Sequence, residues 1–222
     1  DPQAMRLVRR GMTLQILTVL HGLLEAGIGL WGAAAAGSVA LMGFGIDSLI
    51  EVLSALIVVW RLTTHADQDR RERADRIGLR FVGMCFVALA VYVCCDSGLS
   101  LLRHEQPRES IPGICVAVFS VVLMPFLARA KRKLSDEIES SAMRADSKQT
   151  DICAYLSAIL LVGLALNAAF RWWWADPVAG LAMAPIIFRE GVLALQGKAC
   201  GCPTCASHVH VSVPETRSQE AF

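Results

Sequence analysis

The chain has 222 residues, of which 55% are hydrophobic and 18% are charged, and its formal net charge is +1. A soluble domain of this length would be less apolar and more charged, so the composition indicates an integral membrane protein. The near-neutral balance, without a basic patch interleaved with aromatic residues, gives no reason to expect nucleic acid as a partner.

Six apolar stretches are long enough to cross a lipid bilayer, since a spanning helix needs about 20 mainly apolar residues. They lie at 13–35, 39–62, 81–102, 111–128, 151–170 and 174–195. The predicted fold class is an all-α membrane protein with six transmembrane helices. The predicted domains are an N-terminal segment at 1–12, a transmembrane domain at 13–195 and a Cys/His-containing tail at 196–222, which is too short for its own core.

Basic residues predict the orientation of the spans, because they collect on the cytoplasmic side. They cluster before the first span, between the second and third spans, and between the fourth and fifth. The last of these groups comprises Arg129, Lys131, Arg132, Lys133 and Arg144, whereas the opposite connections hold Arg103, Arg108 and Arg171. Both termini are therefore expected in the cytoplasm, with the chain in a plasma membrane or inner membrane.

The second predicted span contains the stretch GFGIDSLIEV, in which Asp47 and Glu51 are four residues apart on one helical face. Two carboxylates on one face repel each other unless they are protonated or bridged by a cation, and the run from Val39 to Trp60 contains no Lys or Arg. A divalent ion is the natural partner. A protonated, hydrogen-bonded pair that packs helices is the alternative.

The beginning of the fifth predicted span offers a second set of donors. Asp146, Gln149 and Cys153 stand at i, i+3 and i+7 and form one stripe, and their carboxylate, amide oxygen and thiolate can all bind a metal. Cys153 could instead be a small hydrophobic residue. Asp151 falls on another side of the helix and is expected at the cytoplasmic boundary.

His21, Glu25 and Asp96 are further ionisable residues within predicted spans, where each needs a partner or a role. His21 and Glu25 are four residues apart in the first span. They could handle protons or line an access path, or they could form a hydrogen bond with each other that only packs the helix. Asp96 lies near the outer end of the third span, either on a proton or access path or as a structural residue.

The tail contains CGCPTC followed by histidines. Cys200, Cys202, Cys205 and His208 could form a four-ligand Zn²⁺ or Cu⁺ site. Cysteines just cytoplasmic of a span are also candidates for S-acylation. Both interpretations of the tail stay open.

Two stretches carry a family resemblance. GSVALMGFGIDSLIEVLSAL, at 37–56, resembles the second helix of the cation diffusion facilitator family, in which a small-residue turn and a short apolar stretch lead to an acidic pair at i and i+4. WWWADPVAGLAMA, at 172–184, resembles the sixth helix, which often opens with Asp-Pro. The resemblance covers roughly 11–195, and it extends to small vertebrate vesicular zinc-binding membrane proteins with the same six-span core.

The resemblance implies a tetrahedral divalent-metal site with two ligands from helix two and two from helix five, and export against protons, usually by a homodimer. Asp47 and Glu51 match the helix-two pair. Gln149 and Cys153 fall on the helix-five pair, which is usually His-x-x-x-Asp, so neither keeps the family's residue type. We expect a divergent short branch that lacks the cytoplasmic C-terminal domain, and a coupling that does not use the usual His.

The predicted span limits set a geometric condition on this site. At about 1.5 Å per residue, Glu51 lies roughly 18 Å from the outer end of helix two, whereas Cys153 lies roughly 26 Å from Phe170. The ligands meet only if helix five is shifted outward or helix two begins earlier. Helix five would then run on through Arg144, and Asp146 could serve as an entry ligand or replace Gln149.

The sequence therefore favours a proton-coupled exporter of divalent transition metals, with Zn²⁺ first among them. A non-transporting metal-binding or regulatory membrane protein with the same core is the alternative. We predict no enzyme, because the chain has no H-E-x-x-H motif and His21 is the one histidine within a predicted span. A channel would need a filter-like loop, and the sequence contains none.

Overall fold

A computed structural model describes residues 2–63, 68–105, 107–138 and 141–196. Within these ranges the backbone forms α1 (Pro2–Ala36), α2 (Val39–Thr63), α3 (Gln68–Arg103), α4 (Ile111–Glu137), α5 (Ser141–Phe170) and α6 (Ala175–Leu195). Each of the six contains a stretch long and apolar enough to span a membrane. The predicted all-α, six-span fold class is confirmed.

The predicted connection between the fourth and fifth spans is wrong. α4 continues to Glu137 and α5 already begins at Ser141, so Lys131 and its basic neighbours belong to a helix. Charged residues end an apolar run without ending a helix, because Lys and Arg are good helix formers. Lys131 is fully buried, and its charge is paired inside the protein.

The helices form a group of four and a pair. α1 packs mainly against α2, and α4 packs mainly against α5, while the contacts of α1 with α4 and of α2 with α5 close the group. α3 packs most extensively against α6. The two helices approach so closely that a Cβ at Gly83 would lie 2.9 Å from the Gly191 carbonyl oxygen, which only glycine avoids.

The turn between α1 and α2 is fixed by one glycine and by a residue from α6. Gly37 has φ +68°, which favours glycine, and its N–H donates to the Ala33 carbonyl oxygen at 2.7 Å. The Ser38 hydroxyl donates to Asp176, and the Val39 N–H donates to Asp176 Oδ2 at 3.0 Å. The acidic residue of the Asp-Pro motif therefore caps α2 and ties that helix to α6.

Replacing Asp176 with alanine should lower the free energy of unfolding by about 1–3 kcal/mol, because two buried donors lose their acceptor. Asp176→Asn keeps an acceptor oxygen and should recover most of that loss. Thermal denaturation of the two purified variants in one detergent measures the difference. Equal stability of the two variants would contradict the capping role.

Candidate metal centre

Three buried side chains from three helices converge in the group of four helices. Glu25 of α1, Glu51 of α2 and Cys153 of α5 each offer one ligand atom, and these atoms all lie within 4.8 Å of one another. All three side chains have an exposed fraction of zero. The residues that the structure describes contain this one group of Cys, His, Asp or Glu atoms with metal-binding spacing.

Asp47 lies one helical turn from Glu51 on α2, on the side of the α1–α2 turn. It is 2% exposed and interacts with Glu51, Glu25 and the Cys153 thiol. The predicted shared face of the acidic pair therefore points into the bundle. Asp47 therefore lies beside the group of three but is not part of it, and all four side chains are buried.

Each of the two glutamates accepts a hydrogen bond at one oxygen, and its other oxygen accepts none from the residues that the structure describes. Glu25 Oε1 accepts a hydrogen bond from the Ser120 hydroxyl, and Glu51 Oε1 accepts one from the Thr150 hydroxyl at 2.8 Å. The second oxygen of each, Oε2, is buried and has no hydrogen-bond partner among the described residues. Buried polar atoms are rarely left unpaired, so Glu51 Oε2 is available to a ligand, whereas Glu25 Oε2 lies 3.3 Å from His21 Nδ1.

A buried ion pair lies beside Glu51. Lys131 Nζ of α4 is 2.8 Å from Asp146 Oδ2 of α5, and both side chains have zero exposure. Lys131 also donates to the Thr150 hydroxyl at 2.8 Å, and Gln15 Nε2 donates to Asp146 Oδ2 at 2.8 Å. One polar network therefore links four helices to the carboxylate of Glu51.

The remaining predicted ligands of α5 lie near the centre in different settings. Gln149 is buried, and its amide nitrogen has no hydrogen-bond partner among the described residues. Asp146 is occupied by Lys131 and lies outside the group of three. Metal ligation by Gln149 or Asp146 stays a prediction. Asp151, expected at the boundary, is partly exposed and forms an ion pair with Arg132.

The residues proposed for a proton or access path lie in two different places in the structure. His21 Nδ1 lies 3.3 Å from Glu25 Oε2, and its ring stacks on Phe119, so this pair adjoins the centre. Asp96 is half-buried on α3 and accepts a hydrogen bond from the Tyr92 hydroxyl at 3.2 Å. The tail residues Cys200, Cys202, Cys205 and His208 lie outside the described residues.

Sequence reasoning missed three features of this centre. Glu25 was assigned to a proton or access path, yet it joins the candidate ligand set itself. Lys131 was hidden in a basic cluster that hydropathy places outside the membrane. Thr150, four residues after Asp146, shares its helical face, but a lone Thr carries no distinctive signal.

The donor set has a recognisable chemical preference. Carboxylate oxygens with one thiolate suit a divalent transition metal, and Zn²⁺ prefers four such ligands in a tetrahedron. Glu25, Glu51 and Cys153 provide three donor groups of this kind within 4.8 Å of one another, and Asp47 adds a carboxyl group beside them but outside that group. The arrangement is suited to holding one dehydrated cation between helices.

Comparisons with known proteins agree on one family. Residues 16–195 match the model of the cation efflux transmembrane domain. An uncharacterised transporter of Synechocystis sp. is 24% identical over 210 residues, which cover 92% of this chain and 66% of that protein. Transmembrane protein 163 of Xenopus laevis is 24% identical over 156 residues, covering 70% of this chain and 55% of that protein. The chain thus spans just under two thirds and just over half of these relatives.

Proposed function

The chain belongs to the cation efflux family, whose members are membrane transporters and not enzymes, and from this we propose that it exports divalent transition-metal cations, with Zn²⁺ as the favoured substrate. One observation carries the proposal: Glu25, Glu51 and Cys153 bring three ligand atoms within 4.8 Å from three different helices. A site divided among helices can open to either side when those helices move. Ordinary helix packing gives no reason to bury three such groups together.

We assign the ion to Glu51, Cys153 and Asp47, with Glu25 as the fourth ligand. Glu25 takes the place that the family resemblance gave to Gln149, since one of its carboxylate oxygens already lies within the group. Gln149 and Asp146 then belong to the entry side of the site.

The proposed mechanism is alternating access coupled to protons. The ion enters from the cytoplasm and displaces protons from the carboxyl groups and the thiol, since ligands must be deprotonated to bind metal. It leaves when the outward-facing site is protonated again. Carboxyl groups thereby carry the coupling that a helix-five His carries in the family, and His21 beside Glu25 offers a proton acceptor.

We also propose the surroundings in which this cycle runs. The basic residues near the start of α1 (Arg6, Arg9 and Arg10) and towards the end of α4 support cytoplasmic termini in a plasma membrane or inner membrane. Residues 13–195 are the transport unit, and 196–222 are a cytoplasmic tail. Family membership supports assembly as a homodimer.

Flux measurements test the proposed function. The protein is reconstituted in liposomes, and Zn²⁺ movement is followed with and without a pH gradient. We expect flux that the gradient accelerates and that Asp47→Ala abolishes. Stoichiometric binding without flux would instead support a metal-binding or regulatory protein, and undiminished transport by Asp47→Ala would contradict the site.

Cys153 should determine which metals are preferred, because a thiolate is a soft ligand. Replacement by serine keeps the size and removes the soft donor. We expect Cys153→Ser to lower the affinity for Cd²⁺ relative to Mn²⁺ by about tenfold or more. Competition binding in detergent measures the ratio, and Cys115→Ser, at an exposed cysteine of α4, is the matched control. An unchanged ratio would remove Cys153 from the ligand set.

A further inference from the structure

Lys131 is the one lysine with a fully buried side chain among the residues whose burial the structure describes. A charge in this position is costly unless it is paired and its hydrogens are used. The ammonium lies 2.8 Å from Asp146 Oδ2 and donates to Thr150 Oγ1 at 2.8 Å. Asp146 is itself held by Gln15 at 2.8 Å. The lysine is therefore fixed from several helices.

The Thr150 hydroxyl transmits this arrangement to Glu51. A hydroxyl has one hydrogen to donate and lone pairs to accept with. Lys131 fills an acceptor position, since an ammonium can only donate, and this leaves the hydroxyl hydrogen for an oxygen elsewhere. Glu51 Oε1 is 2.8 Å away, closer than the Asp146 carbonyl oxygen at 3.2 Å. The hydroxyl is thus directed to Glu51.

The hydrogen bond to Oε1 fixes one end of the Glu51 carboxylate. Its other oxygen, Oε2, stays buried without a hydrogen-bond partner among the described residues. In metal sites, groups that hydrogen-bond a ligand orient it and tune its affinity, and their loss costs roughly 10–100-fold. A relay from Lys131 through Thr150 to Glu51 has this form.

We propose that Lys131 is a positioning residue of the metal centre, which acts through Thr150 to hold Glu51 in its metal-binding orientation. The proposal rests on the proposed function for the identity of the ion. Lys131 does not touch the ion: its ammonium stays in place as a fixed cation that contacts Thr150, and Thr150 donates to Oε1 of Glu51 and leaves Oε2 free. Asp146 serves in this arrangement as the counter-ion of Lys131.

A double-mutant cycle separates this role from simple structural support. Zn²⁺ affinity is measured for Lys131→Met with Asp146→Asn, which removes both charges together, for Thr150→Val, and for all three changes combined. All proteins carry serine in place of Cys200, Cys202 and Cys205, so that tail thiols bind no zinc. We expect the charge-neutral pair and Thr150→Val each to weaken Zn²⁺ binding about 10–100-fold. The combined variant should bind Zn²⁺ no more weakly than the weaker-binding of these two variants.

Two control variants complete the test. Thr150→Ser keeps the hydroxyl and should bind within a factor of a few of wild type. Lys133→Met makes the same substitution at an exposed residue of the same helix and should leave affinity unchanged. If the fold-losses in affinity of the two changes multiply in the combined variant, so that their free energies add, the two changes act independently. That result would overturn the relay. Wild-type affinity in Thr150→Val would also overturn it, even if the charge-neutral pair failed to fold.

The experiment distinguishes a failure of the positioning role from a failure of the proposed function. A wild-type protein that binds no Zn²⁺ contradicts the metal centre itself. A wild-type protein that binds Zn²⁺ while the cycle is additive contradicts only the positioning role of Lys131.

Discussion

Replacement of Glu51 by glutamine is expected to abolish metal export and to weaken Zn²⁺ binding by more than about a hundredfold. Changes to groups that merely support a ligand already cost roughly 10–100-fold, so loss of an anionic ligand should cost more. Glutamine fills the same volume, and its carbonyl oxygen can still accept the hydrogen bond from Thr150. The fold should therefore survive. Flux into proteoliposomes and equilibrium binding in detergent measure the two effects.

Glu190→Gln is the matched control for this variant. Glu190 is a half-buried carboxylate of α6 within a span, it interacts with Arg189 and Lys148, and it is not part of the group of three ligand residues. Its neutralisation should leave flux unchanged. If both glutamine variants transport alike, a general loss of negative charge explains the data and Glu51 is no ligand.

Lys131→Met should be among the most destabilising single substitutions in the protein. It leaves the Asp146 carboxylate buried without its counter-ion, and breaking a buried pair in this way costs about 3–5 kcal/mol. Adding Asp146→Asn removes the orphaned charge, and the double variant should recover most of the loss. The melting temperatures of wild type, Lys131→Met and the double variant, measured in one detergent, give their order of stability directly.

The order of stability is the informative result. A charge-neutral double variant that is more stable than Lys131→Met identifies the unpaired carboxylate as the cause. If Lys131→Met were as stable as wild type, the buried pair would not exist in solution. Lys133→Met, at the exposed neighbour, should change stability by about half a kcal/mol or less.

The acidic pair of α2 could be singled out from the sequence because it violates the pattern of its surroundings, and its role as a ligand pair stays a prediction. Asp47 and Glu51 are conspicuous in an apolar span, and their spacing places them on one face whatever the neighbouring helices do. The stripe that contains Cys153 was also visible, and that residue does reach Glu51. Helical periodicity and hydropathy are local properties of the sequence, so they are sufficient to find polar residues that share one face of an apolar helix.

The rest depended on contacts between helices that local patterns do not encode. Glu25 approaches Glu51 only because α1 and α2 pack in one register, and that register is set by the turn at Gly37. The buried state of Lys131 depends on Asp146, which lies on another helix. A hydropathy profile predicts that the fourth span ends at Ala128, because it counts Lys131 as a charged residue and takes no account of its pairing with Asp146. The early start of α5 at Ser141 was foreseen only as a geometric condition.

X-ray absorption at the zinc edge tests the metal centre most directly. The sample is the full chain with serine at Cys200, Cys202 and Cys205, loaded with one Zn²⁺ per chain. We expect one sulfur neighbour at about 2.3 Å with oxygen neighbours at about 2.0 Å, and the sulfur should disappear in Cys153→Ser. A shell of oxygen and nitrogen alone, or a sulfur signal that survives this substitution, would contradict this expectation.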